Sequence, residues 1–256
     1  MLADHSANTE ILMSGSDQPR FRRVVRRNPS GGRSPVSWSS LRPAAIWSTV
    51  RSYIGLGREA RQEPIDTPEA LARFIDKRAS FVAQTSLYGY LRTRAGMRYP
   101  ELFDDDPFVE AINVAKWHVW LDCLSDIAVY TGSRVAQQAP RELPRIARMM
   151  LAEVDRVLAQ AGTPADAGAG FAAHAERVRS RVARTDWLAV GPDEAAFTES
   201  PAGLVRWSPV MDELKELDGE IVRNSVRFRW QEVRRDFARH LDLQAILASL
   251  PGAPSP

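Results

Sequence analysis

From Thr67 to Tyr130 the chain places apolar residues at helical spacing. Phe74-Ile75, Phe81-Val82 and Tyr88-Gly89 recur every seven residues, which turns one helical face toward a partner. Phe103-Asp104-Asp105-Asp106-Pro107 then reverses the chain into a second, more apolar helix. The same periodicity predicts helices over 43–56, 68–95, 107–136, 142–161, 171–188 and 209–240, with short helical turns near 193–206 and 242–249. The last long helix carries Val222, Val226, Trp230, Val233 and Phe237, a seam suited to a partner outside the fold or to lipid.

Thr67-Pro68, Asp106-Pro107, Thr163-Pro164, Ser200-Pro201 and Ser208-Pro209 each set a capping side chain before a proline, the chemistry of a helix start. Small residues from Gly162 to Gly170 predict a loop, Leu250–Pro256 a frayed tail, and no alternating run bounded by hairpin turns points to a sheet. The expected class is all-α, an irregular bundle of about five to six helices over 63–250, behind a disordered basic N-terminal arm over 1–42 and an amphipathic helix over 43–57.

The arm is rich in Arg, Ser, Pro and Gly and too poor in apolar residues to offset its ordering entropy. A secretory signal would need an apolar core after the arginines, and Asn28 to Ser40 supplies none. An organellar transit peptide, a basic arm for polyanions, an over-long reading frame and a plain solvated tail stay open. In the amphipathic segment, Ile46, Trp47, Val50, Tyr53 and Ile54 form one apolar stripe, a candidate surface for a membrane interface or for docking on the body. Docking is favoured because the opposite face carries few cations.

Composition narrows the function classes. With 44% hydrophobic and 26% charged residues the chain reads as an ordinary globular protein with no membrane-spanning run. A net charge of +2 does not call for a polyanionic partner, so nucleic acid is not expected. Cys123 alone cannot form an internal disulfide, which fits a reducing, cytoplasmic location, with attachment at a membrane surface as a variant.

Candidate chemistry gathers beside the first seam. Arg78, Arg92, Lys116, Asp122 and Asp126 border the helices 68–95 and 107–136 and outline a polar pocket there, unless the charges simply neutralise one another. Neutralisation is the expected outcome. His118 and Asp122 have metal-ligand spacing, but His174 and His240 belong to no converging motif, so neither a metal nor a cofactor is expected. No nucleophile elbow or phosphate loop occurs. Arg177, Arg181 and Arg184 share one helical face, as Arg223, Arg227 and Arg234 do on another, and both read as solvated.

Two resemblances bear on these residues. Asp122-x-x-x-Asp126 resembles the aspartate pair that holds magnesium diphosphate in squalene and phytoene synthases, which need a second acidic motif. The nearest, Asp212, Glu216 and Glu220, is an ordinary exposed row. Phe74 to Gly96 together with Ala115 to Asp126 resembles small all-helical uncharacterised bacterial proteins, some labelled esterase. That label implies a hydrolase, for which these residues supply no triad. The leading expectation is therefore an interaction or membrane-peripheral role, with a protein partner or homo-oligomer. The alternative is a small-molecule binder or esterase-like enzyme using the pocket between the two helices.

Overall fold

The computed structural model describes residues 8–14, 18–24, 63–193 and 195–250. Asn8–Ser14 (β1) and Gln18–Val24 (β2) pair as an antiparallel ribbon with Ile11 opposite Phe21. The remainder of the arm and the segment 43–57 lie outside the described residues. From Ile65 to Leu250 the protein is all-α. Its helices are α1 (Pro68–Ala95), α2 (Asp106–Gln138), α3 (Leu143–Ala161), α4 (Phe171–Ala183), α5 (Glu199–Trp207), α6 (Asp212–His240) and α7 (Leu243–Ser249).

α1 starts as its sequence predicts: the Thr67 hydroxyl accepts the Ala70 amide at 3.1 Å and Pro68 occupies the first turn. The other four proline pairs do not cap. α2 begins after Asp105 with no side-chain cap, Thr163 lies in the loop, Ser200 is inside α5, and Ser208 precedes α6 by a turn. Ser200 and Ser208 instead spend their hydroxyls on tertiary and α5 partners, Asp126 and the Leu204 carbonyl.

α2 is the axis of the bundle. From His118 to Ser133 every residue is buried, because α1, α3, α4 and α5 all pack around it. On α1 the deepest residues are Leu71, Ile75, Ala79, Val82 and Leu87, so the seam runs through Ile75 and Val82, the second members of the first two aromatic pairs, and passes by Gly89. Phe74, Phe81 and Tyr88 flank it, half-buried, because the wider rings reach around to neighbouring helices.

α4 stops at Ala183, five residues short of the predicted end. The chain bends there to drive Trp187 against Gly132 of α2, where even a methyl would overlap the indole. The entry and exit of the bundle are clamped together. Ile65 donates to the His240 carbonyl at 2.8 Å and accepts from Asp242 at 2.9 Å, a parallel bridge beyond the end of α6. The Val222–Phe237 seam is buried in the protein's own core, with Trp230 only 1% exposed, so it presents nothing to a partner. Packing against α1 and α5 uses that face up.

Candidate functional site

The five charged residues that flank the first seam do not converge. Arg78 on α1 reaches across to Asp236 of α6 at 2.6 Å. Arg92 is exposed near Tyr99, whose phenol burial raises and Arg92 partly draws back. Lys116 pairs with Asp166 of the α3–α4 loop at 3.1 Å. Asp122 meets His174, and Asp126 meets Arg181, both on α4. Helix geometry explains the dispersal: six residues separate Lys116 from Asp122, roughly a third of a turn around the axis of α2. Arg78, Lys116, Asp122 and Asp126 each meet a partner, and those partners lie elsewhere in the chain. Ile46, Trp47, Val50, Tyr53 and Ile54 fall outside the described residues.

Asp126 is the most heavily bonded group in the core. Its Oδ1 accepts Arg181 Nη1 at 2.6 Å and the amides of Thr198 and Glu199 at 3.3 and 3.1 Å. Its Oδ2 accepts the Ser200 amide at 2.8 Å and the Ser200 hydroxyl at 2.6 Å. The carboxylate thereby caps the positive end of α5 from outside the helix, the geometry with which helix N-termini hold anions. Burial pushes this carboxyl up from its ordinary range, and Arg181 with Ser200 draws it back. Five donors and no acceptor face it, which holds the ionised form. Arg181 also donates to the Ala196 carbonyl and Thr198, and Trp230 Nε1 donates to Ser200 Oγ at 2.9 Å.

One turn earlier lies a second network. Asp122 Oδ1 is 2.8 Å from His174 Nε2, and His174 Nδ1 is 2.8 Å from His118 Nδ1. The remaining nitrogen of His118, Nε2, is left for the Ala167 carbonyl, which the ring hydrogen-bonds. That carbonyl requires a proton on Nε2 and so selects the tautomer. Nδ1 of His118 then accepts from His174 Nδ1, and His174 Nε2 faces Asp122 Oδ1. Burial, followed by the repulsion of His174, lowers His118 to about 4, so its ring is neutral. Burial raises the Asp122 carboxyl, only partly offset by His174. Its Oδ2, which abuts Gly203, has no hydrogen-bond partner among the described residues. The Trp207 indole stacks on His118 at 3.8 Å, and His118 on His174 at 5.1 Å.

His118, Asp122, His174, Asp126 and Ser200 are all buried. Ser200 bonds Asp126 and Trp230 rather than a histidine, and no serine–histidine hydrogen bond occurs among the described residues. The Cys123 thiol is fully buried, and burial raises it well above its ordinary value. Among the described residues no group of acids, histidines and cysteine is placed to hold a metal ion. The two aspartates bond different side chains, His174 and Arg181, rather than converging on one magnesium site.

His174 and Arg181 were the residues sequence reasoning missed. They lie seven apart on α4, on the face that also carries Val178, and that shared face was the available signal. Arg181, read as solvated with Arg177 and Arg184, is drawn inward by the buried carboxylate. Among the described residues no helix is long and apolar enough to cross a membrane.

Three of the exposed large apolar residues among the described residues lie on α6. Leu217, Ile221 and Phe228 are 77%, 74% and 70% exposed and lie at i, i+4 and i+11, one stripe on the face opposite the buried seam. Comparison of this chain with protein-family models, with curated proteins and with solved structures finds no match.

Proposed function

We propose that this chain is a helical-bundle interaction protein that assembles through the outer face of α6, two copies pairing antiparallel. The observation that carries this reading is the exposed Leu217–Ile221–Phe228 stripe on an otherwise well-packed helix. Scattered apolar residues on a surface are ordinary, but three large ones aligned over three turns are the mark of a contact face. The core beside it supports an interaction role over catalysis: its titratable groups are buried in closed networks with no open space in which a substrate would meet them.

The charge pattern favours a second copy as the partner. Beside the stripe, the first part of α6 carries Glu213, Glu216 and Glu220. The later part carries Arg235 and Arg239 beside the stripe, with Glu232 among them. Two such helices laid antiparallel bring Leu217 of one copy near Phe228 of the other, with each acidic half against a basic half. An isologous two-fold contact needs this self-complementarity.

Sedimentation or light scattering across a concentration series tests the proposal. The wild type is expected to dimerise and Ile221→Glu to remain monomeric with an unchanged helical spectrum. A wild type that stays monomeric throughout, or an Ile221→Glu variant that dimerises equally well, refutes it.

A further inference from the structure

A cleft of about 270 Å³ opens on the surface between α1, α2 and the C-terminal end of α3, well away from the α6 stripe. Successive turns of α1 bring Asp76, Ser80 and Gln84 to one wall, α2 brings Lys116, Trp117 and Trp120 to the other, and α3 ends there at Gln160 and Ala161. The volume suits a small molecule or one end of a larger one.

Several independent features give the cleft a negative character. The carboxylate of Asp76 accepts Trp120 Nε1 at 3.2 Å, and Ser80 also bonds it. No cation is paired with it among the described residues. Burial raises its carboxyl, with the Trp120 and Ser80 bonds opposing. α3 points its C-terminus at the cleft and has no basic residue in its last turn, so its terminal carbonyls add negative potential without local compensation. Trp117 and Trp120 stand edge to face, ring centres 5.9 Å apart at 89°, and form an aromatic corner whose faces attract positive charge.

The protein already places one cation on this corner. The Lys116 ammonium lies 5.0 Å from the Trp117 ring centre. Its charge is balanced by Asp166, which is 3.1 Å away and also accepts Trp117 Nε1 at 2.7 Å. Lys116 and Asp166 therefore cancel, and Asp76 is left as the uncompensated charge of the cleft.

We propose that this cleft binds a small organic cation, an alkylammonium group seated against Trp117 and Trp120 with Asp76 as its counter-ion. The site is independent of the α6 contact, and its test does not depend on assembly.

Titration of the full chain with choline, tetramethylammonium and butylammonium, followed by calorimetry and tryptophan fluorescence, examines it directly. At least one of the three is expected to bind saturably. The uncharged isostere of choline, with carbon in place of nitrogen, is expected to bind about tenfold or more weakly, a factor corresponding to loss of one charge contact. Asp76→Asn preserves an acceptor for Trp120 and is expected to keep the wild-type helical spectrum while losing about the same factor in affinity. Trp117→Leu is expected to weaken the cation more than the isostere. Absence of saturable binding by all three cations, equal affinity for the neutral isostere, or unchanged affinity in a folded Asp76→Asn variant each overturns the proposal.

Discussion

Replacing Asp126 by asparagine separates a buried ionic cap from ordinary core packing. The wild-type carboxylate accepts five hydrogen bonds: one from Arg181, three from the backbone at the start of α5 and one from Ser200 Oγ. Asparagine retains one acceptor oxygen and turns the other into an amide donor that faces donors on either side. Losing two charge-assisted bonds at about 1.5–3 kcal/mol each gives a cost of about 3–6 kcal/mol. Breaking a buried ion pair by removing one partner gives about 3–5 kcal/mol. The Arg181 side chain is 24% exposed and partly rehydrates, which favours the low end, about 3 kcal/mol. Urea unfolding at neutral pH, followed by far-ultraviolet dichroism and tryptophan fluorescence, reads this as a fall in midpoint of about 1–3 M. Arg181→Met supplies the second arm of a cycle. With both charges gone no orphan is buried, so the double variant is expected to lose at least about 1 kcal/mol less than the sum of the singles. An Asp126→Asn loss below about 1 kcal/mol, or strict additivity, refutes the view that this pair anchors α5 to α2 and α4.

Two further outcomes follow from the neighbouring network. Gly203→Ala would push a methyl into the Asp122 carboxylate, so a loss of about 3 kcal/mol is expected on thermal or urea unfolding. Adding Asp122→Ala should recover part of that loss, and a fully stable Gly203→Ala protein would contradict the close crossing of α5 over α2. His118 governs the acid side of the stability profile. Its ring titrates near 4 in the folded protein and near 6.5 when unfolded, so between those values the unfolded chain holds a proton that the folded chain rejects. Stability from this group therefore rises with pH through that window and falls on acidification, by up to about 3 kcal/mol. Asp122, raised by burial, acts in the opposite sense and lessens the wild-type slope. His118→Phe is expected to have a shallower rise than wild type in urea series from about pH 4 to pH 6.5, and identical slopes would refute the assignment.

Legibility differed from element to element for physical reasons. The start of α1 was readable because a cap and a proline act within one turn, and both bonds are local. The ends of α1 and α3, at Ala95 and Ala161, were equally local. Ser200-Pro201 and Ser208-Pro209 misled because the same hydroxyl that can cap a helix can bond a distant carboxylate or a carbonyl of the preceding helix, and spacing does not distinguish these. The end of α4 was set by Trp187 seeking the space above Gly132, an event fifty-five positions removed along the chain. Asp122 and Asp126 were recognisable as carboxylates that needed partners. Arg78 and Arg92 were the nearest cations on the neighbouring helix and were the wrong partners.

Alone, the sequence determined the helical class, most helix boundaries and the identity of the residues in the apolar faces. Those properties rest on backbone hydrogen bonds and periodicity over a few residues. Tertiary structure decided which apolar faces are consumed and which stay open. It buried the Val222–Phe237 seam, exposed Leu217, Ile221 and Phe228 behind it, joined Asp126 to Arg181, and left Asp76 with no cation partner among the described residues beside two tryptophans. Such pairings depend on the azimuth at which whole helices meet, and a difference of a third of a turn around α2 was enough to send Lys116 and Asp122 to separate sites.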